Sequence, residues 1–209
     1  MRVTRNETLL RQLTSNKVIW LLTLSDIFTW GSYYIISTIA GIYLAGRLGV
    51  NAVEIIGIGT AVYFVCRAVF QIPVGIITDR LERDRDEVLI LAIGSILMGM
   101  SFVMYPLIDR PISYFFLQFL FGLGTAMNLN TWRKLFAKNL QKNNEGKEYG
   151  MYEVFMSMAI AAFSWVAGLV AGAGGIYFDL VMIAVGITMM LSFGWALLIL
   201  TIRDRKSQD

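Results

Sequence analysis

The chain has 209 residues, 56% hydrophobic and only 16% charged, with a formal net charge of +3, no histidine and a single cysteine, Cys66. A soluble domain of this length, whose surface must be wetted, seldom carries so much apolar material. The missing histidine excludes a histidine-ligated metal, and one cysteine excludes an intrachain disulfide.

An N-terminal arm, residues 1–17, precedes six apolar runs: Val18–Ala45, Ala52–Thr78, Val88–Ile108, Ile112–Lys138, Tyr149–Ala173 and Phe178–Thr201. Each matches the roughly 20 residues a helix needs to cross about 30 Å of hydrocarbon. They are too long and continuous for the alternating strands of a membrane barrel. The expectation is an all-α, polytopic membrane protein of six transmembrane helices, ending in a tail at 202–209. The first run is too long for a cleaved signal peptide and reads as a retained helix.

Ionisable residues inside a span cost about 2.5–3.5 kcal/mol and usually face a bundle interior or a wet cavity. In span 1, Asp26, Thr29, Tyr33 and Ser37 share one helical face. In span 2 the corresponding stripe is Thr60, Tyr63, Arg67 and Gln71; in span 4 it is Gln118, Gly122, Thr125, Asn128 and Trp132. Span 5 carries Glu153, Ser157, Ser164 and Gly168. Spans 3 and 6 have no interior charge and read as lipid-facing supports. The expected substrate path or coupling residues are therefore Asp26, Thr29, Tyr33, Arg67, Gln71, Gln118, Asn128 and Glu153. Each has a plainer alternative, hydrogen bonding between packed helices, and an Asp26–Arg67 pair could be architectural.

The basic residues fix an orientation. Arg2, Arg5, Arg11 and Lys17 precede span 1. Arg80, Arg83 and Arg85 follow span 2. Arg133, Lys134, Lys138, Lys142 and Lys147 surround the span 4–5 link, and Arg203, Arg205 and Lys206 close the chain. The other side has only Arg47 and Arg110, with Arg67 inside the membrane. This asymmetry puts both termini in the cytoplasm. It also explains the positive balance without nucleic acid as a partner. The expected location is the plasma (inner) membrane.

Between spans 2 and 3 the chain reads Gly75-Ile-Ile-Thr-Asp79-Arg80-Leu-Glu82-Arg83-Asp84-Arg85. This resembles the major facilitator superfamily pattern G-x-x-x-D-R-x-G-R-R/K, with Gly75, Asp79, Arg80 and Arg83 matching. Glu82 stands for the second glycine and Asp84 for the next basic residue. Gln118-Phe-Leu-Phe-Gly122-Leu-Gly124-Thr-Ala126 is similar to the helix 4 pattern R-x-x-Q-G-x-G-A-A, with Gln118 in the place of an arginine associated with proton coupling. The resemblance implies one six-helix half of such a transporter, built from two inverted three-helix repeats and like the N-terminal half. Gly75–Asp79 and Gly175-Ile-Tyr-Phe-Asp179 also look alike, though five residues are too few to establish a repeat.

The leading expectation is a secondary transporter moving a small polar organic solute by alternating access. Two copies in a homodimer would supply the two halves, packed through Gly168 and Gly172. The alternatives are one half of a split two-subunit transporter, or a non-transporting module that binds a partner through the segment Asn139–Glu148. The expected partners are the solute, the lipid bilayer and a second half. No enzyme constellation, cofactor or metal site is expected: no nucleophile elbow or phosphate loop appears.

Overall fold

A computed structural model describes residues 16–81 and 83–206. Arg2, Arg5, Arg11, Glu82 and residues 207–209 lie outside the described residues. Among the described residues, six long helices form. α1 runs through Lys17–Asp26, a π-helical turn at Ile27–Gly31, and Ser32–Leu48. α2 is Ala52–Arg80, α3 Asp84–Val103, α4 Pro111–Asn139, α5 Glu145–Ala171 and α6 Ile176–Lys206. Among the described residues, five stretches are long and apolar enough to cross a membrane: Ile39–Arg80, Arg85–Val103, Pro111–Asn139, Glu145–Ala171 and Ile176–Thr201. The first of these joins the end of α1 to all of α2 through a 3₁₀ turn at Gly49–Asn51. The start of α1 adds a further helical segment. The chain is thus an all-helical, multi-pass membrane protein.

Helix ends follow local chemistry. The side chain of Asn16 accepts from Ile19 N and caps α1. Pro111 opens α4, where its missing N–H is not needed. Glu145 and Glu148 lie in the first turn of α5, complementing its dipole. α3 ends at Val103 rather than reaching Ile108, because the chain tightens into a 3₁₀ turn at Tyr105–Leu107 around Pro106. Pro73 does not break α2, and α4 passes unbroken through Asn128 and Asn130. The irregularity is in α1 instead. There Thr29 donates to Ser25 O, a local bond that competes with the helical ladder.

α3 is the hub. It packs along α4 on one side and α6 on the other. These contacts need glycine: a Cβ on Gly99 would lie 2.3 Å from Gly186 O, and one on Gly94 would lie 2.6 Å from Asn128 N. A side chain at either place would force the helices apart. α3 is thus held closely on two sides, while Leu89, Ile93 and Met100 stay exposed on its outer face. α2 lies on α4, α1 crosses α6, and α5 lies on α1.

The apolar core is split along the bundle. One cluster, including Ile36, Met98, Phe102, Tyr114, Phe121 and Met189, fills the end away from the basic residues. The other, including Leu22, Leu91, Leu135, Phe136 and Ile199, fills the basic end. Buried Asp26, Thr29, Ser95, Thr125, Asn128 and Ser192 lie between them in the helices.

Candidate functional site

A cavity of about 780 Å³ lies among α1, α2, α4 and α5. α1 contributes Asp26, Trp30 and Tyr34; α2 contributes Arg67; α4 contributes Leu129, Trp132, Arg133 and Ala137. α5 completes it with Tyr149, Tyr152, Glu153, Met156, Ser157 and Ile160. On α5 these positions recur at helical spacing, which turns one stripe toward the void.

Asp26 is the most enclosed charged group here, 3% exposed. Tyr152 Oη donates to its Oδ2 at 2.6 Å, while Oδ1 has no hydrogen-bond partner. Arg67 is half-buried and donates through Nη1 to Tyr63 Oη at 3.3 Å. Arg133 and Glu153 are exposed, and both lie near enough for their charges to be felt at Asp26. Among the described residues, none of these four groups forms an ion pair within 4.0 Å. The cavity therefore presents two carboxylates and two guanidiniums, none neutralised at contact distance, within an aromatic wall.

Of the eight expected path residues, Asp26, Arg67 and Glu153 line this cavity. The other five are engaged elsewhere. Thr29 Oγ1 accepts from Ser192 Oγ at 2.8 Å while donating to Ser25 O, tying α1 to α6. Tyr33 stacks on Phe121, with ring centroids 5.3 Å apart. Gln71 donates to Asn130 Oδ1, and Asn130 Nδ2 donates to Gln71 O at 2.6 Å, joining α2 to α4. Gln118 donates to Tyr105 Oη at 3.0 Å. Asn128 donates to Ser95 Oγ at 2.9 Å and accepts from Trp30 Nε1 at 3.3 Å, linking α4 with α3 and α1.

The cavity also contains groups the sequence reading passed over. Arg133 was counted only as an orienting charge, because it lies near the basic end of its span. Tyr152 sits beside Glu153, and its spacing from Tyr149, Met156 and Ile160 was the available signal. Trp132, which lies on the polar face expected of span 4, adds a wall while its Nε1 donates to Leu22 O at 2.9 Å.

The segment that follows α2 is organised by a residue from α4. Lys134 Nζ lies 3.0 Å from Glu87 Oε1 and 3.4 Å from Asp79 Oδ1, and donates to Thr78 O at 2.5 Å. Arg80 and Arg83 are exposed, and Gly75 leaves ordinary van der Waals space, with Asn130 Nδ2 at 3.8 Å from a built Cβ. Glu148 is buried and accepts from Asn16 Nδ2 at 2.9 Å and Gln141 N at 2.8 Å. The ends of the segment expected to bind a partner are thus folded back on the bundle.

At the other end Arg47 Nη2 meets Asp179 Oδ1 at 2.6 Å, and Tyr43 Oη donates to the same oxygen at 2.6 Å. Gly75 and Gly175 are not equivalent, since Gly75 lies inside α2 whereas Gly175 is in a turn with φ +56°. Gly168 and Gly172 are exposed on α5; nothing lies within 4 Å of a Cβ at Gly168, and at Gly172 only its own helix's carbonyls do.

A sequence profile described as Major Facilitator Superfamily matches residues 8–209. No curated protein matches the chain.

Proposed function

The chain belongs to the major facilitator superfamily, a family of membrane transporters, and from that premise we propose that it moves a small polar organic solute by alternating access around the Asp26 cavity. The observation that carries the proposal is the setting of Asp26. It is a buried carboxylate with one oxygen unpartnered, facing a void that two arginines and a second carboxylate also line. Buried Glu87 also has one unpartnered oxygen, but its other oxygen meets Lys134 at 3.0 Å, whereas Asp26 has no cation at contact distance among the described residues. In this reading the helices cross the membrane six times, and the basic end with both termini lies on the cytoplasmic side of the plasma (inner) membrane.

Alternating access needs a second six-helix unit across the cavity, which we propose is another copy of the chain or a separate half. In support, α2 presents exposed Val65, Val69 and Ile72, and α5 presents exposed Trp165, Val166 and Leu169 next to Gly168. Such faces suit helix–helix packing as well as lipid. The non-transporting alternative has less support, because the ends of Asn139–Glu148 are bound to Asn16.

The test is uptake of candidate solutes into vesicles containing the purified protein. Asp26→Asn and Arg67→Ala are each expected to lower uptake at least tenfold while leaving insertion unchanged. Wild-type uptake in both variants removes the cavity from the transport path. Native mass measurement in a bilayer mimic reports the copy number, with two copies supporting the homodimer.

A further inference from the structure

We propose that the cavity binds an amphipathic zwitterion, with its cationic nitrogen at Asp26 and Glu153, its anionic group at Arg67 and Arg133, and its apolar body against Trp30 and Trp132. The inference deepens the transport reading and rests on it for the claim that the bound solute is cargo.

The charge inventory points to this class. Two acids and two bases face the void, and none is paired within 4.0 Å among the described residues. A simple cation would satisfy the carboxylates but leave both guanidiniums without an anion. A simple anion would do the reverse. A neutral polyol could donate to Asp26 but would replace charge-assisted bonds to arginine with weaker neutral ones. Only a solute carrying both signs matches both sets.

Hydrogen-bond capacity agrees. Tyr152 donates to Asp26 Oδ2, and Oδ1 is buried with no partner among the described residues, so a cation beside Asp26 would be held through its charge. Arg67 spends one donor on a neutral phenol at 3.3 Å, and Arg133 is exposed, with no hydrogen bond among the described residues. Guanidiniums with free donors suit bidentate capture of a carboxylate. Trp30, Tyr34 and Tyr152 line the same void as Asp26, and aromatic rings attract a cationic nitrogen.

Isothermal titration of the full chain in lipid nanodiscs tests this with four probes that share a phenylethyl body: phenylalanine, phenethylamine, 3-phenylpropanoate and 2-phenylethanol. Phenylalanine is expected to bind about tenfold or more tighter than each of the others, as one charge-assisted contact requires. Asp26→Asn should weaken phenylalanine and phenethylamine about tenfold and spare 3-phenylpropanoate. Arg133→Gln should do the opposite, weakening the two carboxylate-bearing probes. Retained binding of the spared probe shows that each variant is folded.

Equal affinities, tightest binding of a singly charged or neutral probe, or no binding of phenylalanine overturns the proposal. So does a variant that weakens all probes alike. The transport reading fails separately. Binding with the expected ranking but no vesicle uptake of phenylalanine upholds the charge assignment and sinks the cargo claim. Uptake of a solute that ranks otherwise sinks the charge assignment alone.

Discussion

Away from the basic end, Arg47 near the C-terminus of α1 reaches Asp179 in the first turn of α6 at 2.6 Å. At the basic end, Lys134 in the last third of α4 reaches Glu87 in the first turn of α3 at 3.0 Å. The two pairs sit at opposite ends of the bundle. Each joins a cation in the later part of one helix to an acid in the first turn of another, where a negative charge is favoured. The pairs differ in chemistry. Arg47 also donates to Pro106 O at 2.7 Å, lies over the Tyr43 ring, and shares Asp179 with the Tyr43 hydroxyl. Lys134 is a compact charge divided between Glu87, Asp79 and a carbonyl. A planar guanidinium holding several fixed acceptors makes a rigid joint; an ammonium among alternatives can change partner with little loss.

That contrast can be broken in graded steps, read as thermal unfolding of the protein in one detergent. Asp179→Ala should cost most, about 2–3 kcal/mol, because it strands Arg47 and the Tyr43 hydroxyl together. Glu87→Gln should cost about 1–2 kcal/mol, since Lys134 keeps Asp79 while a buried side chain loses its charged contact. Arg47→Lys should cost about 1 kcal/mol, losing the second branch that reaches Pro106 O. Asp79→Asn should change stability by less than about 0.5 kcal/mol, because the Asp79 side chain is 76% exposed. If Asp79→Asn proves as damaging as Asp179→Ala, the basic end is as rigid as the other and the comparison collapses.

Much of the architecture could be read from the chain before any coordinates. Long apolar runs separated by charged links mark the helices, and the segment around Asp79 marks the family. The charged cavity residues Asp26, Arg67 and Glu153 were legible because an ionisable group in an apolar run is costly wherever it points. Uncharged polar residues give no such signal. Asn128 and Gln118 have the same spacing whether they line a void or bond to Ser95 and Tyr105, and here they bond. Arg133 was hidden by its place near a span end, where an orienting role explained it equally well. α3 looked peripheral because charge was the criterion. Its glycines at 94 and 99, which let it sit between α4 and α6, were the better guide.

The π-helical turn at Ile27–Gly31 divides α1 into two lengths whose angular settings are independent. Such a turn is equivalent to one inserted residue in an otherwise regular helix. Deleting one residue from 27–31 can therefore be absorbed by converting the turn to ordinary α-helix. The portion bearing Tyr43 and Arg47 would keep its neighbours, and so would the portion before residue 23. The change would be confined to the turn itself, which carries Trp30 next to Asp26. In most membrane helices a deletion scrambles everything beyond it; here the frame around the cavity has its own point of adjustment.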